Sequence, residues 1–223
     1  MTTTRRTPCQ APRITLGSNT HFDLGDSLDL VARAQNEGLS FNGADVSHED
    51  LTGITFSECA LEDVTLDGTK LIGARFIESR LAQINAPTLK AARTTWKMTA
   101  VSSSRLGAVE AYDSDLDQLI CEGSKIGWFN LRSSRLQDVL IRNCHIEELD
   151  LTDANLRRVA FEDTSVGTLV LQGARSHDLD LRGMDFASIT GFEGLKGAWV
   201  AERQAIEMLD LFAEHFGISI SPS

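Results

Sequence analysis

Every fifth residue of this chain, from Phe41 to Phe186, is apolar, and Ser176 is the single exception. One register held over that length without an insertion cannot arise by chance in a chain that is 42% hydrophobic. A period of five matches neither the period of an α-helix nor that of a flat strand. It matches a coil with four equal sides, in which each side takes five residues and each turn takes twenty.

The register therefore predicts an all-β solenoid, a right-handed quadrilateral β-helix over residues 39–190 with about seven and a half coils. Stacked coils would pair as strands about 4.8 Å apart, which gives a rod of roughly 36 Å. A second inward position lies two residues before each centre. From Leu119 to Leu179 it alternates large and small side chains, as two bulky and two small faces require.

Unusual residues at inward positions are interpreted as core. One coil has the centres Leu81, Ala86, Ala91 and Trp96, so small and large side chains share a layer. Such volume compensation favours a core role for Trp96 over ligand stacking. Three of the four cysteines, Cys59, Cys121 and Cys144, also fall at inward positions, which is typical of small core residues in a reducing compartment.

Two regions outside the register flank the solenoid. Residues 1–12 predict a flexible polar tail, and residues 13–38 an N-terminal cap, with a strand at 13–16 and a short helix from the N-cap Asp26 through Ala34. Residues 191–223 predict a C-terminal region with a helix over 198–216, stopped by Gly217, and a short strand at 218–220.

The units GARFIES, TDANLRR and LDLRG resemble the A(D/N)Lxx motif of the pentapeptide repeat family. The C-terminal sequence GAWVAERQAIEMLDLFAEHFGI is similar to the ending of family members that protect DNA gyrase from quinolones. In those proteins this helix joins two subunits. The resemblance implies a homodimer through a helix face of Ala205, Met208, Leu209, Phe212 and Phe216. The alternative is a helix that only caps its own coil.

The sequence offers no catalytic, phosphate-binding or metal-binding motif, so neither an enzyme nor a cofactor is expected. The net charge of −11 disfavours direct binding to nucleic acid or to anionic membranes. No apolar run is long enough for a membrane helix and no export signal is evident, so the expected location is the cytoplasm.

Charged residues occur in blocks along the chain. The acidic candidates for partner binding are Asp45, Glu49, Asp50, Glu58, Glu62, Asp63, Asp113, Asp115 and Asp117. Between them lies a basic belt of Lys70, Arg75, Arg80, Lys90, Arg93, Lys97 and Arg105. Each block spans one to two coils, so the rod should carry belts of alternating sign. These belts either contact a partner or pair charges between neighbouring coils.

These features favour a non-enzymatic scaffold that binds another protein, with the basic belt or its neighbours as the contact. The alternative, implied by the resemblance, is a DNA-mimicking binder of DNA gyrase or another topoisomerase that gives quinolone protection. A mimic needs negative charge along the whole rod, and the basic belt interrupts it. The remaining form of this alternative is a partial DNA mimic, which would use the acidic ends of a dimer. An enzyme or sequestering protein would need a deep polar pocket, for which a filled core leaves little room.

Overall fold

The computed structural model describes residues 8–219, which form one solenoid followed by the helix α1 (Glu202–Phe216). The strands are β1 (Asp23–Leu24), β2 (Gln35–Glu37), β3 (Leu39–Asn42), β4 (Thr55–Ser57), β5 (Ala60–Glu62), β6 (Thr69–Lys70), β7 (Arg75–Ile77), β8 (Arg80–Ala82), β9 (Asn85–Lys90), β10 (Thr95–Ser102), β11 (Arg105–Glu110), β12 (Asp115–Glu122), β13 (Lys125–Asn130), β14 (Arg135–Arg142), β15 (His145–Asp150), β16 (Asn155–Glu162), β17 (Thr164–Val170), β18 (Arg175–Asp180) and β19 (Met184–Thr190).

The strands pair in parallel with their counterparts in the next coil, in a constant register of twenty residues. Asp115 of β12, for example, lies beside Arg135 of β14, which in turn lies beside Asn155 of β16. The pairing builds a twelve-stranded and a seven-stranded sheet. Only β1 departs from the register, because Asp23 pairs with Leu39. The predicted twenty-residue coil is thus confirmed, with about eight turns.

The solenoid has four faces, each centred on a column of inward residues twenty positions apart. Face 1 is centred on residue 56, face 2 on 41, face 3 on 46 and face 4 on 51, and each column continues in steps of twenty. The corner between faces 1 and 2 is made by residues with left-handed backbone, among them Gln118, Asp138 and Arg158. Left-handed backbone is unfavourable for side-chain-bearing residues, so the pairing of successive coils must hold these corners in place.

The column at the centre of face 1 begins with stacked aromatic rings. The Phe56 and Phe76 ring centroids are 5.3 Å apart, and those of Phe76 and Trp96 are 4.1 Å apart. Trp96 is half-buried and packs against the core, and its indole N–H donates to Thr94 Oγ1 at 2.8 Å. The interpretation of Trp96 as a core residue agrees with this packing.

The core beneath Trp96 is not filled, contrary to the expectation from volume compensation. An apolar cavity of about 60 Å³ lies there, lined in part by Leu81, Trp96, Val101 and Ala111. The physical reason is that the Trp96 ring stacks on Phe76, so it does not fill the space beside the small side chain of Ala111. Its lining is almost wholly apolar, so the cavity offers no site for polar catalysis.

Small inward residues near the corner between faces 4 and 1 carry hydroxyl groups that link successive coils. The Thr94 amide donates to Ser114 Oγ at 2.9 Å, and the Ser114 amide donates to Ser134 Oγ at 3.0 Å. Buried backbone donors are costly when they lack a partner. These hydroxyls satisfy them, which explains why the small positions of this column include serine and threonine.

Residues 8–22 run along the outside of the corner between faces 1 and 2, and we call this segment the strap. Three of its backbone amides donate to corner side chains: Gln10 to Asp178 Oδ1 at 3.1 Å, Arg13 to Asp138 Oδ1 at 2.8 Å, and Thr15 to Gln118 Oε1 at 2.9 Å. Residues 8–12, predicted as a flexible tail, therefore lie on the solenoid. Residues 13–16 are not the predicted strand, because they bond to side chains and pair with no strand. Residues 1–7 lie outside the described part of the chain.

The N-terminal cap is smaller than predicted. Asp26 does act as an N-cap, since its carboxylate accepts from the Leu28 amide at 2.9 Å, but the helix is a single 3-10 turn, Ser27–Asp29. The end of the predicted helix is bonded to the first coil instead, because the Arg33 amide donates to the Thr52 carbonyl at 3.0 Å and the Ala34 carbonyl accepts from the Thr55 amide at 2.9 Å. The pairing of the solenoid thus overrides local helix propensity.

The C-terminal helix starts four residues later than predicted, because the chain first continues the solenoid. Trp199 forms a bridge with Asp180, and only then does α1 begin. Gln204 anchors its first turn by donating to the carbonyls of Leu181 at 2.7 Å and Met184 at 2.6 Å. Residues 218–219 are irregular where a strand was predicted, and Ile220 is outside the described residues. No helix within residues 8–219 has the length and apolarity needed to cross a membrane.

Candidate interaction surfaces

All seven residues of the basic belt are exposed, and they are not distributed evenly around the rod. Five of them lie on the two neighbouring faces 4 and 1, and we call them the basic patch: Lys70, Arg75, Lys90, Arg93 and Lys97. The other two, Arg80 and Arg105, begin strands on faces 2 and 3. Coiling by twenty residues therefore turns a belt in sequence into a patch in space.

The basic patch contains stacked like charges and makes no close ion pairs within the described residues. Lys70 and Lys90 occupy paired positions of β6 and β9, and like charges directly opposite each other are unfavourable. No residue of the patch makes an ion pair within 4.0 Å to any residue of the described range. The sequence left open the alternative that the belts simply pair charges between neighbouring coils. Within the described residues, the basic patch forms no such close ion pairs.

Acidic residues occupy the same two faces one coil further along. Glu110 pairs with Lys90 in register, and Asp117 pairs with Lys97. Asp113 and Asp115 lie between them, next to the exposed Tyr112. The predicted acidic candidates Asp113, Asp115 and Asp117 are thus brought together, directly beside the basic patch.

The remaining acidic candidates do not form one surface. Asp45, Glu49, Asp50, Glu58, Glu62 and Asp63 are spread around the perimeter of the first coils. Two of them have local roles, because the Asp45 and Asp50 carboxylates accept the Ser47 and Thr52 amides, each at 3.0 Å. Hydrogen bonds from those same two residues lower the pKa of both carboxyl groups. Such turns stabilise the backbone and need no partner.

Arg80 belongs to the strap contact. Its guanidinium donates to the Asn19 carbonyl and lies over the Phe22 ring, 5.1 Å from the ring centroid. A cation over an aromatic face is favourable, so this arginine holds the end of the strap nearest β1. Of the belt residues, it is therefore the least available to a partner.

The five apolar residues predicted for the dimer helix divide between two sides of α1. Met208 is buried and Phe212 stacks on Phe192 at 4.7 Å, so both pack against their own chain. Ala205, Leu209 and Phe216 are exposed, the latter two by 56% and 65%. Ile206, 62% exposed, adds a residue that was not predicted. An apolar surface therefore remains open at this end of the rod.

The described residues include no cluster of histidine, cysteine or carboxylate side chains suited to a metal ion. The inward cysteines are buried free thiols, as predicted, and the Sγ atoms of Cys121 and Cys144 are 3.9 Å apart. The hydrogen bond to Cys144, together with burial, raises the pKa of Cys121 well above its ordinary value. This thiol is therefore protonated and unreactive at neutral pH.

The corner beneath the strap is a surface that the sequence prediction missed. Asp138 and Arg158 form an ion pair there, with two contacts of 2.6 Å between adjacent coils. One signal for this surface is present in the sequence. On face 2 an outward-facing column is apolar over four coils, where solvated residues are expected: Ala100, Ile120, Leu140 and Ala160. This apolar column becomes visible when the sequence is compared at intervals of twenty residues, one full coil, rather than at intervals of five.

Comparison with known proteins places the repeats in a family. The family model Pentapeptide repeats matches residues 40–76 and 50–85, and no curated protein sequence matches the chain. One similar solved structure is that of HetL, a pentapeptide repeat protein involved in heterocyst differentiation regulation in the cyanobacterium Nostoc sp.. The sequence identity is 16%, the alignment covers 74% of this chain and 86% of the HetL chain, and the TM-score is 0.28. Full-length QnrB1, a plasmid-mediated fluoroquinolone resistance protein, has 13% identity, coverages of 82% and 100%, and a TM-score of 0.37.

At such low identity and superposition scores, the functions of those two proteins do not transfer to this chain. The repeat itself is better supported, because the match to the family model and the strand register coincide. The inward centres continue every five residues from the matched coils to Phe186 at the last coil. The chain carries pentapeptide repeats, and these repeats build its β-solenoid.

Proposed function

We propose that this chain is a non-enzymatic scaffold that binds another protein through the basic patch and the acidic residues beside it. The observation that carries the proposal is the concentration of five exposed basic residues on two neighbouring faces of successive coils, without close ion pairs to the described residues. Stacking Lys70 on Lys90 is unfavourable for the isolated rod. A partner that supplies carboxylates would relieve this repulsion and gain charge complementarity.

The dimensions of the patch favour a protein over nucleic acid. Lys70 and Lys90 belong to a column of residues twenty positions apart. In this column Asp50 lies one coil before Lys70, and Glu110 lies one coil after Lys90. A nucleic acid lying along the rod would meet carboxylates about 4.8 Å beyond the last lysine on either side. The complementary surface is a short acidic segment flanked by basic residues, which a folded protein can present.

A capture experiment with matched variants tests this proposal. Tagged wild-type protein is compared with the double variant Lys90→Glu, Arg93→Glu in lysate of the source cells. The control is Lys125→Glu, Arg175→Glu, which makes the same change in net charge at exposed positions outside the patch. We expect one partner to be retained by the wild type and the control and lost by the patch variant. Loss from both variants, or from neither, would refute the patch as the contact.

The exposed side of α1 supports a second part of the proposal, a homodimer formed through this helix. Leu209 and Phe216 would bury their apolar surface against a second copy, while Met208 and Phe212 stay in their own core. Light scattering after size exclusion measures the mass. We expect a dimer for the wild type and for Asp210→Arg, an exposed change on the same helix, and a monomer for Leu209→Arg. A monomeric wild type at high concentration would exclude this dimer.

The other candidate function is a DNA-mimicking binder of DNA gyrase. A dimer through α1 would lengthen the rod and carry the acidic first coils to its outer ends, which supports a partial mimic. The basic patch weighs against it, because duplex DNA presents no positive surface. Gyrase supercoiling with purified protein, with and without a quinolone, decides the matter. Inhibition or protection at micromolar protein would favour this candidate, and no effect at tens of micromolar would remove it.

A further inference from the structure

The strap matches the solenoid corner in length. From Gln10 to Thr15 an extended segment spans about 17 Å, at about 3.3 Å per residue. Their acceptors, Asp178 and Gln118, are three coils apart, which is about 14 Å at the strand spacing of about 4.8 Å. An extended peptide running along the rod can therefore place one amide opposite each acceptor with little slack.

The surface under the strap combines polar and apolar columns, and we call it the strap groove. The polar column is Gln118, Asp138, Arg158 and Asp178. The apolar column is Ala100, Ile120, Leu140 and Ala160, at neighbouring outward positions of face 2. Although its position faces outward, Ala160 is only 8% exposed, which agrees with cover from outside the solenoid.

The strap presents the complementary pattern. Pro12, Ile14 and Leu16 are half-buried, and they alternate with exposed residues, so one side of the extended segment faces the solenoid. Gly17 passes so close to Glu78 that a Cβ atom at this position would lie 2.9 Å from the Glu78 carbonyl oxygen. The groove thus recognises backbone amides on one column and alternate apolar side chains beside it, which is the chemistry of extended-peptide binding.

The key acceptor stays in place even without the strap. Arg158 Nε donates to Asp138 Oδ1 and Arg158 Nη2 donates to Asp138 Oδ2, each at 2.6 Å. The strap adds only the Arg13 amide to Oδ1. The carboxylate is therefore oriented by the solenoid itself, and an empty groove would already be arranged for a new donor.

The strap is held more weakly than any coil. It pairs with no strand, whereas each inner coil is bonded to a coil on both sides. Its backbone is fastened by three amide contacts to side chains along residues 8–16. Segments with few backbone bonds and little buried surface open at a lower free energy than the core does.

We propose that the strap groove is an exchangeable binding site for an extended peptide, and that the strap of a second copy is the segment it accepts in place of its own. A second copy carries the required amides and the required apolar spacing by identity of sequence. The exchange would link two rods side by side at the corner between faces 1 and 2, and the strap groove includes no residue of the basic patch or of α1. It is therefore independent of the function proposed above.

The test uses a fluorescent synthetic peptide of residues 8–22 as the strap supplied in trans. Its receptor is the full chain carrying Arg13→Pro, which removes the amide that bonds Asp138 and loosens the strap in cis. The control receptor is Arg13→Ala, which keeps that amide. We expect saturable binding to Arg13→Pro and an apparent affinity at least about a hundredfold lower for the Arg13→Ala and wild-type chains, because the tethered strap competes at high effective concentration. A peptide of the same composition in scrambled order should not bind.

Two results would overturn the proposal. One is the absence of saturable peptide binding to an Arg13→Pro chain whose circular dichroism shows an intact solenoid. The other is measured on the wild type, so it holds even if that variant fails to fold. If hydrogen exchange at the amides of Gln10, Arg13 and Thr15 were as slow as at the buried amides of β14 and β16, the strap would open only on global unfolding and could not exchange.

Discussion

Arg158 and Asp138 face each other across adjacent coils as a two-point ion pair, and their side chains are only 8% and 6% exposed. Both stand at the corner between faces 1 and 2, where the equivalent residues Glu58, Glu78, Met98 and Gln118 are only partly buried. The pair is buried because the strap passes over it and adds the Arg13 amide to the Asp138 carboxylate. A buried charge with its partner removed is strongly unfavourable, so the pair links the stability of the corner to the presence of both residues.

Replacing Arg158 with alanine should destabilise the protein by about 3 kcal/mol, because it leaves the Asp138 carboxylate buried with a single amide donor. Urea denaturation followed by circular dichroism measures this loss. The neighbouring Arg157 is exposed and makes no ion pair within the described residues, so Arg157→Ala should cost less than about 0.5 kcal/mol. Equal losses for the two variants would contradict the burial of the pair.

Stability should fall in acid through Asp138. Burial raises the pKa of this carboxyl group, but hydrogen bonds from Arg158 and from the Arg13 amide outweigh burial and lower it below its ordinary 3.8. A lowered pKa in the folded state stabilises the protein above the unfolded pKa, and this contribution is lost as the pH falls through the folded pKa. The wild type should therefore be more stable than Asp138→Asn above about pH 5, and the difference should shrink steadily below about pH 4. A difference that stays constant on acidification would argue against this linkage.

Leu131 and Arg132 test the inward register at a single step of the chain. Leu131 is buried at the centre of face 4, and Arg132 is exposed one residue later. Leu131→Ala should cost about 2–5 kcal/mol, and Leu131→Asp should prevent folding by placing a charge between layers. Arg132→Ala loses one surface contact to Asp150 at 3.5 Å and should cost less than about 1 kcal/mol. Equally mild effects at both positions would mean that the register is wrong.

The cavity beneath Trp96 should be fillable. Ala111 lines it, so Ala111→Val places two methyl groups in empty space and should raise the free energy of unfolding by about 1 kcal/mol. Ala154 is equally buried but lies away from the cavity, and Ala154→Val should destabilise by about 1–3 kcal/mol through overpacking. Denaturation midpoints of the two variants relative to the wild type give the comparison. Destabilisation by both changes would show that the cavity closes in solution.

The solenoid could be predicted because its cause is repetitive. One five-residue rule acts at every corner, so even Trp96 and the cysteines could be assigned to the core from position alone. The cavity could not be predicted in the same way, because it depends on the direction in which the Trp96 ring turns. Residue volumes counted along the chain carry no such information, and the stacking on Phe76 decides it.

The surfaces were harder to predict because they depend on columns of residues twenty apart. The seven basic residues form a belt in sequence, yet five lie on the neighbouring faces 4 and 1, and Arg80 contacts Asn19 and Phe22 of the strap. The strap has no periodic signal beyond the alternation of Pro12, Ile14 and Leu16. The partners of its amides are 103 to 168 residues away in the chain, and no local rule relates them.

The path of the strap also fixes an order of assembly. Gln10 is synthesised well before its partner Asp178, which follows 168 residues later. Coils stack on their neighbours and can form one after another as the chain leaves the ribosome, whereas the strap must wait for a coil near the far end. A chain truncated before Asp178 would contain every earlier coil but would lack the acceptor for the Gln10 amide. The strap can therefore close along its whole length only after translation has reached the last coils.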